Sequence, residues 1–187
     1  MFTSCFLFIF FRFHNNNKVY NFFHIPKTAG TSISNAIKEN FEYEFIWKNY
    51  KTNYPIGAQH LGYDLYKHYV HIDDINFAVV RNPVDRISSL YNNFITKDTT
   101  RYSSFTEWFS VIMNRYPHIL ESQKNIISDG NIKLFDYNNL HRLETFFGVQ
   151  LPKLNVLAKI SSLTNNEISF IKNYYKEDYQ LMEYKVL

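Results

Sequence analysis

The chain has 187 residues and a formal net charge of +3, with basic residues scattered among acidic ones. This length predicts one domain with a sizeable core, and the small, dispersed charge gives no reason to expect a nucleic-acid partner. Cys5 is the single cysteine, so an internal disulfide is excluded and we expect a reducing, cytoplasmic location.

Residues 1–13, MFTSCFLFIFFRF, form an apolar run. The run is shorter than the roughly 20 residues that a membrane-spanning helix needs. It also lacks a basic leader and a clear cleavage site, which makes a signal peptide a poor fit. We therefore expect an apolar arm or strand over residues 1–17, with weak membrane contact at most, and the main domain over residues 18–187.

The stretch KVYNFFHIPKTAGTSISNA, residues 18–36, predicts a strand, a loop and a helix. The apolar run ends at Pro26, and the helix extends to about Asn40 with a regular apolar face. The unpaired N–H groups and the positive dipole end of such a helix attract an anion. Glycine permits close approach of the loop backbone, and a lysine and three hydroxyl groups surround it. These residues are Lys27, Thr28, Gly30, Thr31 and Ser32.

The stretch from Ile75 to Ile95 predicts a second strand and helix. Its continuous apolar run, Ile75 to Val80, is typical of a strand buried on both faces of a parallel sheet. Arg81 follows the strand, and Pro83 suits the first turn of a helix. Because ligands bind at the carboxyl ends of strands in open α/β sheets, we expect Arg81 and the Lys27 loop to face one crevice. Two anion sites in one crevice indicate a ligand with two separated charged groups.

The other predicted elements complete an α/β domain. They are a strand over residues 41–47, a loop carrying His60, a helix behind a capping box at Ser104 and Glu107, a strand over 131–137, a helix ended by Gly148, and a last helix behind a capping box at Thr164 and Glu167. The alternation of strands and helices predicts a single-domain parallel sheet flanked by helices.

The motifs HIPKTAGTS and VRNPVDRISSLY resemble the 5′-phosphosulfate loop and the 3′-phosphate motif of sulfotransferases that use 3′-phosphoadenosine-5′-phosphosulfate (PAPS). The resemblance is strongest to the carbohydrate group, of the heparan and chondroitin type, and extends over residues 18–184. It implies a P-loop-like sulfotransferase architecture and the transfer of a sulfuryl group from PAPS to a hydroxyl of a carbohydrate or other acceptor. It implies no metal.

The resemblance also assigns roles to individual residues. Two groups would hold PAPS: Lys27, Thr28, Ala29, Gly30, Thr31 and Ser32 at the 5′-phosphosulfate, and Arg81 and Ser89 at the 3′-phosphate. Lys27 would in addition neutralise charge on the leaving group. A histidine between the phosphosulfate loop and the next strand is the proposed base of these enzymes, which here is His60. An imidazole has a suitable unperturbed pKa for that role.

Three positions qualify this pattern. The family commonly has Asp where this chain has Asn82 and Glu where it has Asn138, and it often has a glutamine near the acceptor at the position of Gln123. Other histidines, at positions 24, 68 and 71, are alternatives to His60 as the base.

Two other functions fit the same residues. A nucleotide-dependent phosphotransferase with a non-Walker phosphate loop would require an acidic metal ligand at a strand end, where this chain has Arg81. A catalytically inactive PAPS- or nucleotide-binding protein would keep the crevice without turnover. The sequence indicates neither the particular acceptor nor the oligomeric state.

Overall fold

Five strands form one sheet in the computed structural model, which describes residues 11–45, 71, 73–96, 101–127, 131–154 and 162–185. The strands are β1 (Phe11–Asn15), β2 (Lys18–Phe23), β3 (Glu42–Phe45), β4 (Ile75–Val80) and β5 (Ile132–Asp136). Their order across the sheet is β3-β1-β2-β4-β5.

Helices surround this sheet. They are α1 (Gly30–Asn40), α2 (Pro83–Ile95), α3 (Phe105–Arg115), α4 (Pro117–Leu120), α5 (Gln123–Ile127), α6 (Leu140–Phe147), α7 (Asn165–Tyr174) and α8 (Lys176–Lys185). A 3₁₀ turn, Tyr137–Asn139, joins β5 to α6. The predicted single-domain α/β fold is confirmed. No helix in the described ranges has the length and apolar character needed to cross a membrane.

The sheet is mixed. Strands β2, β4 and β5 are parallel neighbours, as the sequence predicts, whereas β1 pairs antiparallel with both β2 and β3. The chain reverses between β1 and β2 at Asn16 and Asn17, whose φ angles are +49° and +58°. Two consecutive positive φ values are typical of a tight hairpin turn, and asparagine tolerates them well. Residues 11–15 are thus a strand of the sheet, while residues 1–10 lie outside the described ranges.

The sheet has a core on each face. Successive residues of a strand point to opposite faces, so Phe22 and Phe77 join an aromatic cluster while Phe23 and Ala78 join an aliphatic one. A third cluster fills the space between α2, α3, α4 and α7 around the fully buried Trp108. Strand β4 contributes to both faces of the sheet, which explains its continuous apolar sequence.

The C-terminal helical segment differs from its prediction. One helix is expected there, but α7 ends at Tyr174 and α8 begins at Lys176. Tyr175, between them, is fully buried and donates its hydroxyl hydrogen to the Leu120 carbonyl at 2.6 Å. This tertiary hydrogen bond anchors the residue between the two helices, where the sequence has no proline or glycine.

The two predicted helix caps have different outcomes. At Thr164 both hydrogen bonds of the capping box with Glu167 form, so that prediction is confirmed. Ser104 caps α3 by accepting from the Glu107 N–H at 3.1 Å, but the Glu107 carboxylate accepts from the Ser103 N–H at 2.7 Å. A complete capping box would have the Glu107 carboxylate accept from the N–H of Ser104 itself. It accepts from Ser103 instead, so the predicted capping box is only half formed.

Candidate active site

The loop between β2 and α1 has a tightly turned backbone. Lys27 and Ala29 have φ angles of +69° and +68°, a left-handed conformation that costs free energy for residues with a side chain. Thr28 lies between them, fully buried, and its hydroxyl donates to the Ile25 carbonyl at 2.8 Å. The sequence predicts that the Thr28 hydroxyl faces an anion. Its hydrogen is instead donated within the loop, where this hydrogen bond stabilises the turn.

Gly30, the first residue of α1, packs directly against His24. A Cβ atom at Gly30 would overlap Nε2 and Cδ2 of the His24 ring. That ring stacks on Phe22, with 5.9 Å between the two ring centroids. This packing requires a glycine at position 30, because the His24 imidazole occupies the space that a side chain there would need.

Replacing Gly30 with alanine is expected to displace the His24 ring and to lower the free energy of unfolding by about 1–3 kcal/mol, the usual cost of overpacking. Urea denaturation measures this loss. His24→Ala removes the obstacle, so the double variant should unfold at a higher urea concentration than the additive expectation from the two single variants. Strict additivity would show that the two residues do not compete for this space.

The first turn of α1 begins without a side-chain cap. Its cap residue, Ala29, has no side-chain hydrogen bond to the turn, and the turn contains no acidic residue. Thr31 is exposed, and Ser32 is nearly buried, with its Oγ accepting from the Leu154 N–H at 3.4 Å. Such a helix start stabilises an anion through its N–H groups and its dipole.

Arg81 brings the second motif to this loop. Its Nη1 donates to the Lys27 carbonyl at 3.2 Å, and its guanidinium carbon lies 4.1 Å from the centre of the Tyr137 ring. The contacts follow from the fold, because β2, β4 and β5 are adjacent and parallel and their carboxyl ends meet at one edge. The Arg81 Nε is buried and has no hydrogen-bond partner within the described residues.

The backbone of Arg81 is held by a buried glutamine. The Arg81 N–H donates to Gln123 Oε1 at 2.9 Å, and Gln123 Nε2 donates to the Arg81 carbonyl at 2.8 Å. Asp178 on α8 in turn accepts from the Gln123 N–H at 3.1 Å, from Nε2 at 3.4 Å and from the Lys124 N–H at 2.9 Å. Gln123 and Asp178 are both 0% exposed.

This arrangement was not predicted. The resemblance relates Gln123 to the acceptor. In the structure its side-chain amide forms hydrogen bonds with Arg81 and Asp178. The sequence feature that could have predicted it is the position of Asp178. This acid lies three residues from Tyr175 and three from Leu181, and both of those residues are buried. An acidic residue on the apolar face of a helix indicates a buried polar partner.

A buried arginine, Arg86, lies near Asp178. Burial raises the pKa of the Asp178 carboxyl, while the nearby Arg86 guanidinium and the N–H donors of residues 123 and 124 oppose that rise. Arg86 is fully buried, stacks at 5.2 Å on the Tyr175 ring and donates through Nη2 to the Glu121 carbonyl at 2.9 Å. Arg86 is thus part of the core and not a solvated charge.

The start of α2 tolerates its departure from the family pattern. Asn82 caps the helix by accepting from the Val84 N–H at 3.0 Å and the Asp85 N–H at 3.4 Å, which an aspartate could also do. Ser89 lies half-buried on α2, about two turns beyond its first residue.

The remaining candidates divide between described and undescribed parts of the chain. His60, the predicted base, and His68 lie outside the described residues. His71 is exposed shortly before β4. Asp136 ends β5 at the same sheet edge, but its carboxylate accepts from the Asn138 N–H at 2.9 Å and starts the 3₁₀ turn. The ranges that the structure covers contain no group of three or more His, Cys, Asp or Glu residues able to hold a metal.

A parallel-strand edge with a helix N-terminus and an arginine at adjacent strand ends is an arrangement that suits an anionic ligand in α/β folds. The model of the sulfotransferase family matches residues 11–142, which include the Lys27 loop, Arg81 and Ser89. The chain therefore belongs to the sulfotransferase family, whose general chemistry is sulfuryl transfer. Comparison with curated proteins and with solved structures gave no match.

Proposed function

We propose that this enzyme transfers the sulfuryl group of PAPS to a hydroxyl of a carbohydrate acceptor. The observation that carries the proposal is the 3.2 Å hydrogen bond from Arg81 Nη1 to the Lys27 carbonyl, because it joins the two motifs that we propose to bind anions. PAPS has two matching anionic groups, a phosphosulfate on the 5′ oxygen and a phosphate on the 3′ oxygen of one nucleoside.

In this proposal each motif binds one end of PAPS. The loop and the first turn of α1 hold the 5′-phosphosulfate through Lys27, Ala29, Gly30, Thr31 and Ser32, while the buried Thr28 stabilises the turn through its hydrogen bond to Ile25. Arg81 and Ser89 hold the 3′-phosphate. A planar guanidinium suits phosphate because it can donate two parallel hydrogen bonds to it. The contact of the Arg81 guanidinium with the Tyr137 ring restricts the orientation of the group.

Transfer requires positioning and charge stabilisation. The acceptor oxygen forms a bond to sulfur while the bond from sulfur to the bridging oxygen of the phosphosulfate breaks, and the electron pair of that bond passes to the phosphate. The Lys27 ammonium group and the N–H groups of α1 stabilise the negative charge that develops there. The acceptor hydroxyl gives its proton to His60, which a neutral imidazole can accept near neutral pH. Each step uses a protein group and none needs a metal.

The carbohydrate acceptor is proposed from the motifs. HIPKTAGTS and VRNPVDRISSLY resemble the carbohydrate sulfotransferases, so glycan hydroxyls of the heparan and chondroitin type are the first acceptors to test. A phenol and a steroid alcohol in the same assay distinguish this acceptor class from other hydroxyl compounds.

The donor assignment predicts a selective thermal shift. We expect 3′,5′-ADP to raise the melting temperature more than 5′-ADP or ATP with magnesium at equal concentration, because 3′,5′-ADP occupies both anion sites. At about 100 times the dissociation constant, a ligand stabilises the folded state by roughly 2.7 kcal/mol. Sodium sulfate at matched ionic strength is the control for general anion binding. Stabilisation by ATP with magnesium but not by 3′,5′-ADP would replace the proposal with the phosphotransferase.

A further inference from the structure

We infer that Gln123 and Asp178 are positioning residues of the 3′-phosphate site, which hold Arg81 in the orientation that binds the phosphate. The inference rests on the proposed function, because it takes Arg81 as the residue that binds the 3′-phosphate. Neither residue needs to touch the ligand, since both are completely buried behind Arg81.

Gln123 continues the strand ladder where β4 ends. Val80 is the last residue of β4, so the N–H and carbonyl of Arg81 leave the sheet. The primary amide of Gln123 pairs with both groups, at 2.9 and 2.8 Å, as a neighbouring strand would. Two hydrogen bonds to one residue restrict its φ and ψ angles and therefore the direction of its Cα–Cβ bond. The guanidinium can then reach the Lys27 carbonyl and Tyr137 together.

Asp178 determines which way the amide of Gln123 points. Its Oδ2 accepts from Gln123 Nε2 at 3.4 Å, which leaves Oε1 for the Arg81 N–H and directs the second Nε2 hydrogen to the Arg81 carbonyl. A flipped amide would place an oxygen against both Oδ2 and the Arg81 carbonyl. The same carboxylate caps the start of α5 through the N–H groups of Gln123 and Lys124, so it also fixes the backbone that carries the glutamine.

The described contacts of Arg81 leave part of its guanidinium without a hydrogen-bond partner. One face stacks on Tyr137 and one Nη1 hydrogen bonds to the loop, while Nε has no partner in the part of the chain that the structure describes. The described contacts thus orient the guanidinium without using all five of its N–H groups. A small rotation of the backbone at Arg81 would displace the guanidinium from its binding position, because this group lies at the end of a long side chain.

The test measures ligand selectivity in the full chain. Calorimetric titration compares 3′,5′-ADP with 5′-AMP, which lacks the 3′-phosphate, on the wild type and on Gln123→Met, which preserves length but removes the amide. We expect the dissociation constant of 3′,5′-ADP to rise about tenfold and that of 5′-AMP to change less than about threefold. Because Gln123 acts through Arg81, adding Gln123→Met to Arg81→Ala should cause no further loss of 3′,5′-ADP affinity.

Tyr175→Phe is the matched control. It deletes the buried 2.6 Å hydrogen bond to the Leu120 carbonyl near Asp178, so it should lower the melting temperature without changing the ratio of the two affinities. If Gln123→Met does not fold, Asp178→Asn replaces it, since the asparagine keeps the volume but loses one acceptor, and the same selectivity loss is expected.

Three outcomes overturn the inference. Additive losses of affinity in the double variant would show that Gln123 does not act through Arg81 and is a purely structural residue. An unchanged affinity ratio in a folded Gln123 or Asp178 variant would do the same. A wild-type protein that binds 5′-AMP as tightly as 3′,5′-ADP would instead refute the 3′-phosphate site itself, and this failure is visible before any variant is compared.

Discussion

Lys27→Ala is expected to lower kcat for sulfuryl transfer from PAPS to a glycan acceptor by about 10²- to 10³-fold, the usual effect of removing one group that stabilises transition-state charge. Lys27 lies in the left-handed turn directly before α1, beside the N–H groups that bind the phosphosulfate in our proposal. The negative charge on the bridging oxygen grows as the bond to sulfur breaks, so the ammonium group contributes more in the transition state than in the ground state. Affinity for 3′,5′-ADP should therefore fall much less than kcat.

Lys38→Ala provides the control for this measurement. Lys38 is exposed in the last turn of α1, so its loss changes the net charge by the same amount at the other end of the same helix. We expect its kcat to stay within a factor of about two of the wild type, as for an exposed charge away from the reacting atoms. Equal rate losses in both variants, or none in Lys27→Ala, would remove Lys27 from the catalytic role.

His60→Ala is expected to reduce kcat by about 10²- to 10⁴-fold, the range for loss of a general base. A base acts in its neutral form, so the wild-type kcat should fall as the pH drops below the pKa of the imidazole in the enzyme–substrate complex. The variant should lack this acidic limb, and added imidazole should restore part of its rate. Steady-state kinetics between pH 5 and about pH 9 reports both effects.

His71→Ala separates His60 from a general effect of histidine loss. His71 is an exposed histidine outside the proposed site, and its removal should leave the pH profile unchanged. A His60→Ala enzyme that transfers sulfate at the wild-type rate would contradict the assignment of His60 as base. The 3′,5′-ADP thermal shift of the same variant shows whether its fold and donor site are intact.

Local sequence signals predicted the elements that carry the site. The apolar run of β4, the proline at the first position of α2 and the strand-loop-helix pattern around Lys27 all describe contacts between near neighbours in the chain. The meeting of the two motifs followed from one general property, because parallel strands bring their carboxyl ends to one edge. Family membership supports the general activity, whereas the roles of Lys27, Arg81, Ser89 and His60 stay predictions.

The features that sequence did not predict depend on distant contacts. Gln123 lies 42 residues from Arg81 and 55 from Asp178, and no local pattern relates these positions. The break between the last two helices lies at Tyr175, whose hydroxyl is bound to Leu120, again 55 residues away. The antiparallel pairing of β1 with β3 likewise requires knowledge of which strands become neighbours.

The last helix has a consequence for any shortened form of the protein. Residues matched to the family end at position 142, yet Asp178 on α8 supplies the carboxylate that orients the amide behind Arg81. A fragment that stops at 142 would contain both signature motifs and still lack the acceptor for three N–H donors, two of them in buried hydrogen bonds. The smallest portion able to retain the Arg81 geometry therefore reaches at least into α8, well past the segment that identifies the family.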